Sequence, residues 1–185
     1  MLTCAALILF FSKSLLRHPI ARSNIEEFIG ESSFRWIIPD PAHETGAIKP
    51  HDQIDRLILC SGQVYAALVK YRADNGLDNV AITRIEQLHP FPWEQLRENL
   101  DSYPNAKTIV WAQEEPLNAG AWSYTQPRIE TLLNCTKYHD RKHVMYAGRN
   151  PSASPATGVK KNHVREEQEL LEMAFSVKQE KLKGE

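Results

Sequence analysis

Short apolar runs alternate with amphipathic stretches from about residue 56 onward. Each run has the length and apolar content of a strand that is buried on both faces. The runs are LILC (57–60), VAITRI (80–85), TIVWAQ (108–113) and HVMYAG (143–148). Strands that alternate with helices at this spacing predict an α/β fold, in which a mainly parallel sheet is covered by helices on both faces.

In the stretches between and after the runs, apolar residues recur at intervals of three and four, as on one face of a helix. The predicted helices carry Val64, Ala67, Leu68 and Tyr71; Trp93, Leu96 and Leu100; and, from about residue 163, Val164, Leu171 and Phe175 with Leu170, Ala174 and Val177 beside them. Another helix is predicted over residues 121–134, which Pro127 must kink or restart.

Weaker patterns surround this alternating region. FRWIIP (34–39) is a strand candidate that could join one edge of the sheet as a fifth strand. Ser23 and Glu26 have the spacing of a capping box and predict a short helix over SNIEEF (23–28). Residues 39–53 contain proline, glycine and histidine without apolar periodicity, which predicts a loop.

The apolar run ALILFF, within residues 2–11, is too short to span a bilayer as a helix. Lys13 and Arg17 follow the run, whereas a secretory signal carries its positive charge before the apolar segment. A mitochondrial presequence agrees better with the charges, but this run is apolar on every side rather than amphipathic. We therefore interpret it as a strand buried on both faces, whose sheet is not evident in this sequence.

Composition narrows the possible partners and the compartment. The 185 residues include 22 Lys plus Arg against 23 Asp plus Glu, a net charge of -1, so no basic field indicates nucleic acid or a membrane surface. Cys4, Cys60 and Cys135 are odd in number and lie in apolar surroundings. This pattern predicts reduced, buried thiols in a reducing compartment rather than disulfides or a metal site.

Glu114 and Glu115 follow a predicted strand and precede a helix, the position where open α/β sheets bind ligands. Adjacent carboxylates could exchange protons with a substrate or hold a cation. The favoured alternative is that they complement the dipole of the following helix, because neighbouring strand residues point to opposite faces. That arrangement leaves one of them available to a partner subunit.

Other motifs carry weaker signals. CSGQ (60–63) places a single glycine before a helix but lacks the complete phosphate-binding patterns. His18 and His89 each precede proline and have no catalytic neighbour at a recognisable spacing, so structural roles are favoured. Ser, Pro and Gly in SASPATG (152–158) are typical of a turn, which is the favoured interpretation. The alternative is that this loop binds an anion together with Arg149.

Several longer strings form a more specific signature. They are SLLRHP (14–19), VAITRIEQLHPFP (80–92), YPNAK (103–107), WAQEEPLNAGAW (111–122) and YAGRNPSASPATG (146–158), with CSG and VY within residues 60–65. In combination they resemble the carboxyl-terminal region of the thiamine-diphosphate-dependent component of 2-oxoglutarate dehydrogenase complexes. The resemblance extends from about Ala6 to Val177.

The resemblance implies a three-layer, transketolase C-terminal-like domain with a mixed, mostly parallel five-stranded sheet. Residues 1–22 would be the end of a preceding pyrimidine-binding domain, residues 23–178 the domain itself, and residues 179–185 a disordered tail. ALILFF would then be a strand separated from its own sheet. The start departs from the family pattern, with Phe11 and Ser12 in place of Thr and Pro, which suggests a misplaced gene start or a fragment.

Members of the family decarboxylate 2-oxoglutarate on thiamine diphosphate and pass the succinyl group to a lipoyl arm. They hold the diphosphate through magnesium at a GDG motif, which does not occur in this sequence. The glutamate that activates the cofactor belongs to the preceding domain. We therefore assign no catalytic, cofactor-binding or metal-binding residue, and expect neither cofactor to bind this chain alone.

The resemblance assigns the region to the support of a homodimer and its active site. Glu114, Glu115, Asn118 and Trp122 are the candidate interface residues. The implied partners are the dihydrolipoyl succinyltransferase and dihydrolipoyl dehydrogenase components, and the implied location is the mitochondrial matrix. Alternatives are a 2-oxoadipate enzyme or bacterial homologue of the same family, and a stand-alone transketolase-like binding or dimerisation module.

Overall fold

The computed structural model describes residue 13 and residues 15–175. The chain divides into two compact units, Met1–Phe34 and Arg35–Glu185. The run ALILFF, Val177 and the predicted tail lie outside the described residues. In the part of the chain that is described, no helix is long and apolar enough to cross a membrane.

The described part of the first unit contains two short 3-10 turns, Pro19–Ala21 and Ile25–Glu27. The backbone N–H of Asn24 donates to the carboxylate of Glu27 at 3.2 Å. The predicted capping box therefore forms one residue later than Ser23 and Glu26. It caps a single turn rather than the predicted helix over residues 23–28.

The second unit contains a five-stranded sheet with the order β1-β3-β2-β4-β5. The strands are β1 (Ile37–Ile38), β2 (Arg56–Cys60), β3 (Val80–Ile85), β4 (Thr108–Pro116) and β5 (Val144–Arg149). All neighbours pair in parallel except β1, which runs antiparallel to β3 at the edge. The predicted α/β class, the mixed sheet and the edge position of the first strand are confirmed.

Four helices connect and follow the strands. They are α1 (Val64–Asp74), α2 (Trp93–Asp101), α3 (Trp122–Leu133) and α4 (Lys160–Phe175). The chain moves from β2 to β3 in one direction along the sheet and then crosses back to β4. Because such crossovers are right-handed, this reversal puts α1 on one face and α2 and α3 on the other. Helix α4 contacts α1 and β5, which completes three layers.

The core is built on the central strand. Every residue of β2 is buried, as expected for a strand covered on both faces. Leu57 and Leu59 pack in one apolar cluster with residues of α2 and α3. Ile58 and Cys60, which are also fully buried, alternate with them and face the opposite layer.

Three local expectations are wrong. Strand β4 continues through Pro116, so Glu114 and Glu115 belong to the strand rather than following its end. Val164 is exposed, because the buried residues of α4 are confined to its last part, from Leu170 onward. Cys135 is also exposed, because it follows the end of α3 on the surface, whereas Cys60 is buried as predicted.

Candidate functional site

The carboxyl end of β4 lies where the sheet connections diverge. Strand β2 is flanked by β3 on one side and by β4 on the other, and the chain reaches them through helices on opposite faces. A crevice outside the carboxyl ends of the strands is expected at such a point. The polar segment that follows Trp111 is therefore in the place where an open α/β sheet presents functional groups.

Gln113 organises this segment. Its side chain is buried, and its Nε2 donates to the carbonyl of Ala119 at 2.8 Å and lies 3.2 Å from that of Pro116. Its Oε1 accepts from the indole N–H of Trp111 at 3.0 Å and from the backbone N–H of Trp122 at 2.9 Å. One amide therefore ties the end of β4 to the first residue of α3.

Two glycines fit closely against this segment. Gly120 has φ of +66°, and an added Cβ would lie 2.9 Å from Nε2 of Gln113 and 2.9 Å from Cβ of Glu115. At Gly148 an added Cβ would lie 2.3 Å from the hydroxyl of Tyr146. Close packing requires glycine at both positions, and Gly120 also needs its conformational freedom.

Tyr146 braces the same region from β5. Its hydroxyl lies 3.1 Å from the carbonyl of Glu115 and 2.9 Å from the carbonyl of Arg149. Burial raises the pKa of Tyr146 to about 12, so the phenol stays protonated and can donate near neutral pH. The ring of Trp122 packs against that of Tyr146, with centroids 5.1 Å apart.

A second set of hydrogen bonds joins the turn after β4 to the loop after β5. Asn118 and Ser152 form a reciprocal pair: Nδ2 of Asn118 donates to the carbonyl of Ser152 at 3.0 Å, and Oδ1 accepts from its N–H at 3.0 Å. The N–H of Leu117 donates to the carbonyl of Arg149, also at 3.0 Å. We call residues 113–122 together with residues 146–152 the corner.

Arg149 is engaged within the chain. Its Nε lies 2.7 Å from Oε2 of Glu166, and its guanidinium also donates to the carbonyl of Pro155 at 3.0 Å. The hydroxyl of Thr157 donates to Glu166 and, with Arg149, holds the pKa of that carboxyl below its usual value. These contacts favour turn chemistry over an anion cradle for the loop over residues 152–158.

The structure brings all four candidate interface residues into the corner. Glu114, Glu115 and Asn118 are exposed, and Trp122 is half-buried. The side chains of three of them already make contacts within the chain. Asn118 pairs with Ser152, Trp122 packs on Tyr146, and Oε2 of Glu114 accepts a hydrogen bond from Nε2 of Gln63 at 2.7 Å. Their part in a dimer stays a prediction.

Two clefts meet at the two carboxylates. One, of about 560 Å³, is bordered by the turn before α1 at Ser61 and by His89 and Tyr124. The other, of about 370 Å³, lies between α1, α4 and the loop after β5. Glu114 and Glu115 line both clefts, so any molecule that occupies either one meets these side chains.

The histidine at the first cleft is held by a neighbour. Nδ1 of His89 lies 3.0 Å from the hydroxyl of Tyr124, whose ring is covered by the guanidinium of Arg128 at 3.6 Å from the centroid. This geometry agrees with the structural role predicted for His89.

Within the described residues, no group of three or more His, Cys, Asp or Glu side chains is arranged to hold a metal ion.

Sequence reasoning missed the residues that build the corner. It singled out the exposed carboxylates but gave no role to Gln113, Tyr146, Gly120 or Gly148. The available signal was a polar glutamine at the end of an otherwise apolar strand, followed within seven residues by a glycine. A buried amide in that place is a natural partner for unpaired backbone groups of a turn.

Comparisons with known proteins point to a single family. The family model described as 2-oxoglutarate dehydrogenase C-terminal matches residues 22–175. The mitochondrial 2-oxoglutarate dehydrogenases of Schizosaccharomyces pombe and Saccharomyces cerevisiae are 53% and 54% identical to the chain over 170 residues. These residues are 91% of this chain and 16% of each relative, so the chain spans about a sixth of their length.

A more distant relative, the mitochondrial 2-oxoglutarate dehydrogenase of Caenorhabditis elegans, is 44% identical over 179 residues, which are 96% of this chain and 16% of the relative. A solved structure titled "Split gene transketolase, inactive beta4 tetramer" covers 71% of this chain and 44% of that chain, with 14% identity and a TM-score of 0.45. The family model and the sequence relatives assign the chain to a family without the help of this structure. The chain belongs to the family of 2-oxoglutarate dehydrogenase C-terminal domains.

Proposed function

We propose that this chain is the carboxyl-terminal domain of a 2-oxoglutarate dehydrogenase, which decarboxylates 2-oxoglutarate and transfers succinyl to a lipoyl group. Support comes from relatives of that name at 53% and 54% identity over most of the chain. These relatives and that of Caenorhabditis elegans carry the name of the 2-oxoglutarate enzyme, which makes the 2-oxoadipate alternative the weaker one.

The two clefts at the corner do not fit the diphosphate of thiamine diphosphate. Glu114 and Glu115 would repel a diphosphate, and the nearby cation Arg149 is paired with Glu166. We therefore place the cofactor and the chemistry on other parts of the parent enzyme. The domain itself would supply a rigid surface rather than reacting groups.

We assign the corner to the homodimer of the parent enzyme. The observation that carries this proposal is the combination of exposed side chains with a buried scaffold: Glu114 and Asn118 face solvent, while Gln113 beneath them is fully hydrogen-bonded. A surface whose backbone is already ordered loses little conformational entropy on association. Glu115 and Trp122 complete the proposed contact.

The proposed setting follows from the relatives. They are named mitochondrial, which supports a location in the mitochondrial matrix. Within a 2-oxoglutarate dehydrogenase complex, the partners of the parent enzyme would be the dihydrolipoyl succinyltransferase and dihydrolipoyl dehydrogenase components. No nucleic acid or membrane partner is proposed.

A chimera tests the function. Residues 22–175 of this chain would replace the matching segment of the Schizosaccharomyces pombe enzyme, and turnover would be measured with 2-oxoglutarate. We expect a soluble dimer that is active on 2-oxoglutarate, at a rate within about tenfold of the parent. A folded dimer without that activity would contradict the proposal.

The interface has its own test in the same chimera. Glu114→Lys would place a cation in the proposed contact, and sedimentation velocity would report the dimer. We expect the dimer to weaken, whereas Lys160→Glu, on the exposed start of α4, should leave it unchanged. Equal dimer strength in both variants would remove Glu114 from the interface.

A further inference from the structure

The segment between β1 and β2 crosses the amino end of the sheet, opposite the corner. We call residues 41–53 the strap. It contains the 3-10 turns Pro41–His43 and His51–Gln53. The N–H of Lys49 donates to the carbonyl of Asp78 at 2.8 Å, and the carbonyl of Asp52 accepts from Nδ2 of Asn105 at 2.7 Å.

Three rings hold the two turns of the strap together. The imidazoles of His43 and His51 stack with centroids 3.8 Å apart and planes 13° apart. The ring of Tyr103 lies 5.0 Å from that of His51 and 5.6 Å from that of His43. Nε2 of His43 is 3.1 Å from the Tyr103 hydroxyl, which belongs to a fully buried residue.

The protonation state of the rings matters for these contacts. Burial raises the pKa of Tyr103 above its usual value, so its hydroxyl remains protonated and can donate to Nε2 of a neutral His43. A proton on Nε2 removes that acceptor. If His51 were also charged, two like charges would face each other across a stacking distance of 3.8 Å.

Other charged groups surround the pair. Asp40, which immediately precedes the strap, attracts a proton toward His43, whereas Arg72 of α1 opposes it, and these two residues are themselves a buried ion pair. A backbone hydrogen bond to Lys49 also favours the charged ring. The remaining charged side chains of the strap, Glu44 and Asp52, are exposed.

The balance of these effects favours the neutral ring. Burial, followed by the charge of His51, lowers the pKa of His43 below its usual value of 6.5. A histidine with a lowered pKa stabilises the closed arrangement above pH 6.5, and this contribution is lost as the pH falls from 6.5 toward the lowered pKa.

We propose that the strap is a proton-sensitive clasp: His43 stays stacked on His51 and hydrogen-bonded to Tyr103 while it is neutral, and the strap separates from Tyr103 when His43 takes up a proton. Opening would expose Tyr103 beneath the strap and the apolar side chain of Ile48 on the strap itself, both of which are buried. The rest of the sheet keeps its own core on β2 and stays folded.

Hydrogen exchange on the full 185-residue chain tests the clasp. Mass spectrometry would follow peptides from the strap and from β2 at pH 7.5, 6.5 and 5.5, with each rate corrected for intrinsic exchange. We expect protection of the strap to fall as the pH drops below 6.5, by at most about tenfold per pH unit for the uptake of one proton, while β2 stays protected.

His51→Phe keeps an aromatic ring in the stack but removes the charge that lowers the pKa of His43, and should reduce the pH dependence of the strap. His51→Gln provides a second nontitrating variant if the phenylalanine disturbs folding. His143→Phe, at a surface residue that contacts Glu130, should behave as the unchanged chain does. The proposal is overturned if strap protection does not depend on pH, if both His51 variants keep the full dependence, or if β2 loses protection in parallel.

Discussion

The two ends of the sheet are stabilised by different chemistry. At the carboxyl end, the corner is ordered mainly by uncharged hydrogen bonds from Gln113 and Tyr146 and by the close packing of Gly148, together with the ion pair of Arg149 and Glu166, a carboxyl whose pKa is below its usual value. At the amino end, the ion pair of Asp40 with Arg72 and a set of histidines order the strap and its surroundings. One end should therefore keep its shape over a wide pH range, while the other should respond to protons.

The two ends also differ in which polar side chains remain available at the surface. The corner satisfies its buried groups internally and presents carboxylates at the surface, which suits a contact between subunits. The amino end uses its charged groups for its own cohesion: Asp40 accepts from Arg72 and from the N–H of Ile82 at 2.7 Å. Its integrity depends on keeping those charges paired.

The largest expected effect comes from Asp40→Asn. The substitution leaves the buried guanidinium of Arg72 without its counter-charge, which should lower the free energy of unfolding by about 3–5 kcal/mol. Urea unfolding would measure it. Asp78→Asn is the control, because its pair with Lys49 is exposed and should contribute less than about 1 kcal/mol. Equal losses in the free energy of unfolding would show that the buried ion pair stabilises the fold no more than the exposed one does.

Gly148→Ala should disturb the corner by a smaller amount. The new Cβ would lie 2.3 Å from the Tyr146 hydroxyl, so the ring must move, at a cost of about 1–3 kcal/mol. Gly158→Ala adds the same methyl group where nothing lies within 4 Å and should change stability by less than about 0.5 kcal/mol. Thermal unfolding would be measured for both variants. A loss of stability for Gly148→Ala alone supports close packing, whereas equal losses indicate a general effect of replacing glycine by alanine.

His139 gives the amino end a further response to pH. Its Nε2 lies 2.9 Å from the carbonyl of Leu100, and its Nδ1 lies 2.9 Å from Nζ of Lys142. Burial, with the nearby charge of Lys142, lowers the pKa of His139 below its usual value. The neutral ring therefore stabilises the fold above pH 6.5, and this contribution is lost as the pH falls below that value.

The comparison of wild type with His139→Gln isolates this effect. Between pH 7.5 and 5.5 the free energy of unfolding of the wild type should fall more steeply, by at most about 1.4 kcal/mol per pH unit for one proton. His89→Gln changes an exposed histidine at the other end of the sheet and should retain the wild-type slope. Identical slopes for wild type and His139→Gln would contradict the expected role.

The smallest effect on stability is expected for the double variant Glu114→Gln and Glu115→Gln. Both carboxylates are exposed, so the free energy of unfolding should change by less than about 0.5 kcal/mol. Urea unfolding at two salt concentrations would check this, because exposed charges are screened. A loss above 1 kcal/mol would show that the carboxylates belong to the scaffold of the corner.

Apolar patterning was sufficient to predict much of the fold. The run over residues 80–85 became β3 with the same bounds, since an apolar residue stands at each of its ends. Strand β4 was predicted too short, because Glu114 and Glu115 are polar although the strand continues to Pro116, which pairs with Arg149 after a shift in register. Backbone pairing extends beyond the apolar positions there, and hydrophobic patterning does not detect it.

The site was harder to predict than the fold. Family motifs brought Glu114 and Asn118 to attention, but no periodic pattern indicates that Asn118 pairs with Ser152, which lies 34 positions later. The role of Gln113 depends on the distances of several backbone groups in three dimensions. Similarly, His43 and His51 stand in a loop without periodicity, so their stacking could be found only in the structure.

The central position of β2 has a consequence for synthesis on the ribosome. Its apolar run pairs with β3 on one edge and with β4 on the other, and β4 begins at Thr108, almost 50 residues after Cys60. A nascent chain that has released β2 must wait for that much further translation before the second edge can be paired. We expect LILC to be the segment most exposed to wrong partners during this interval, and therefore the one most in need of a chaperone.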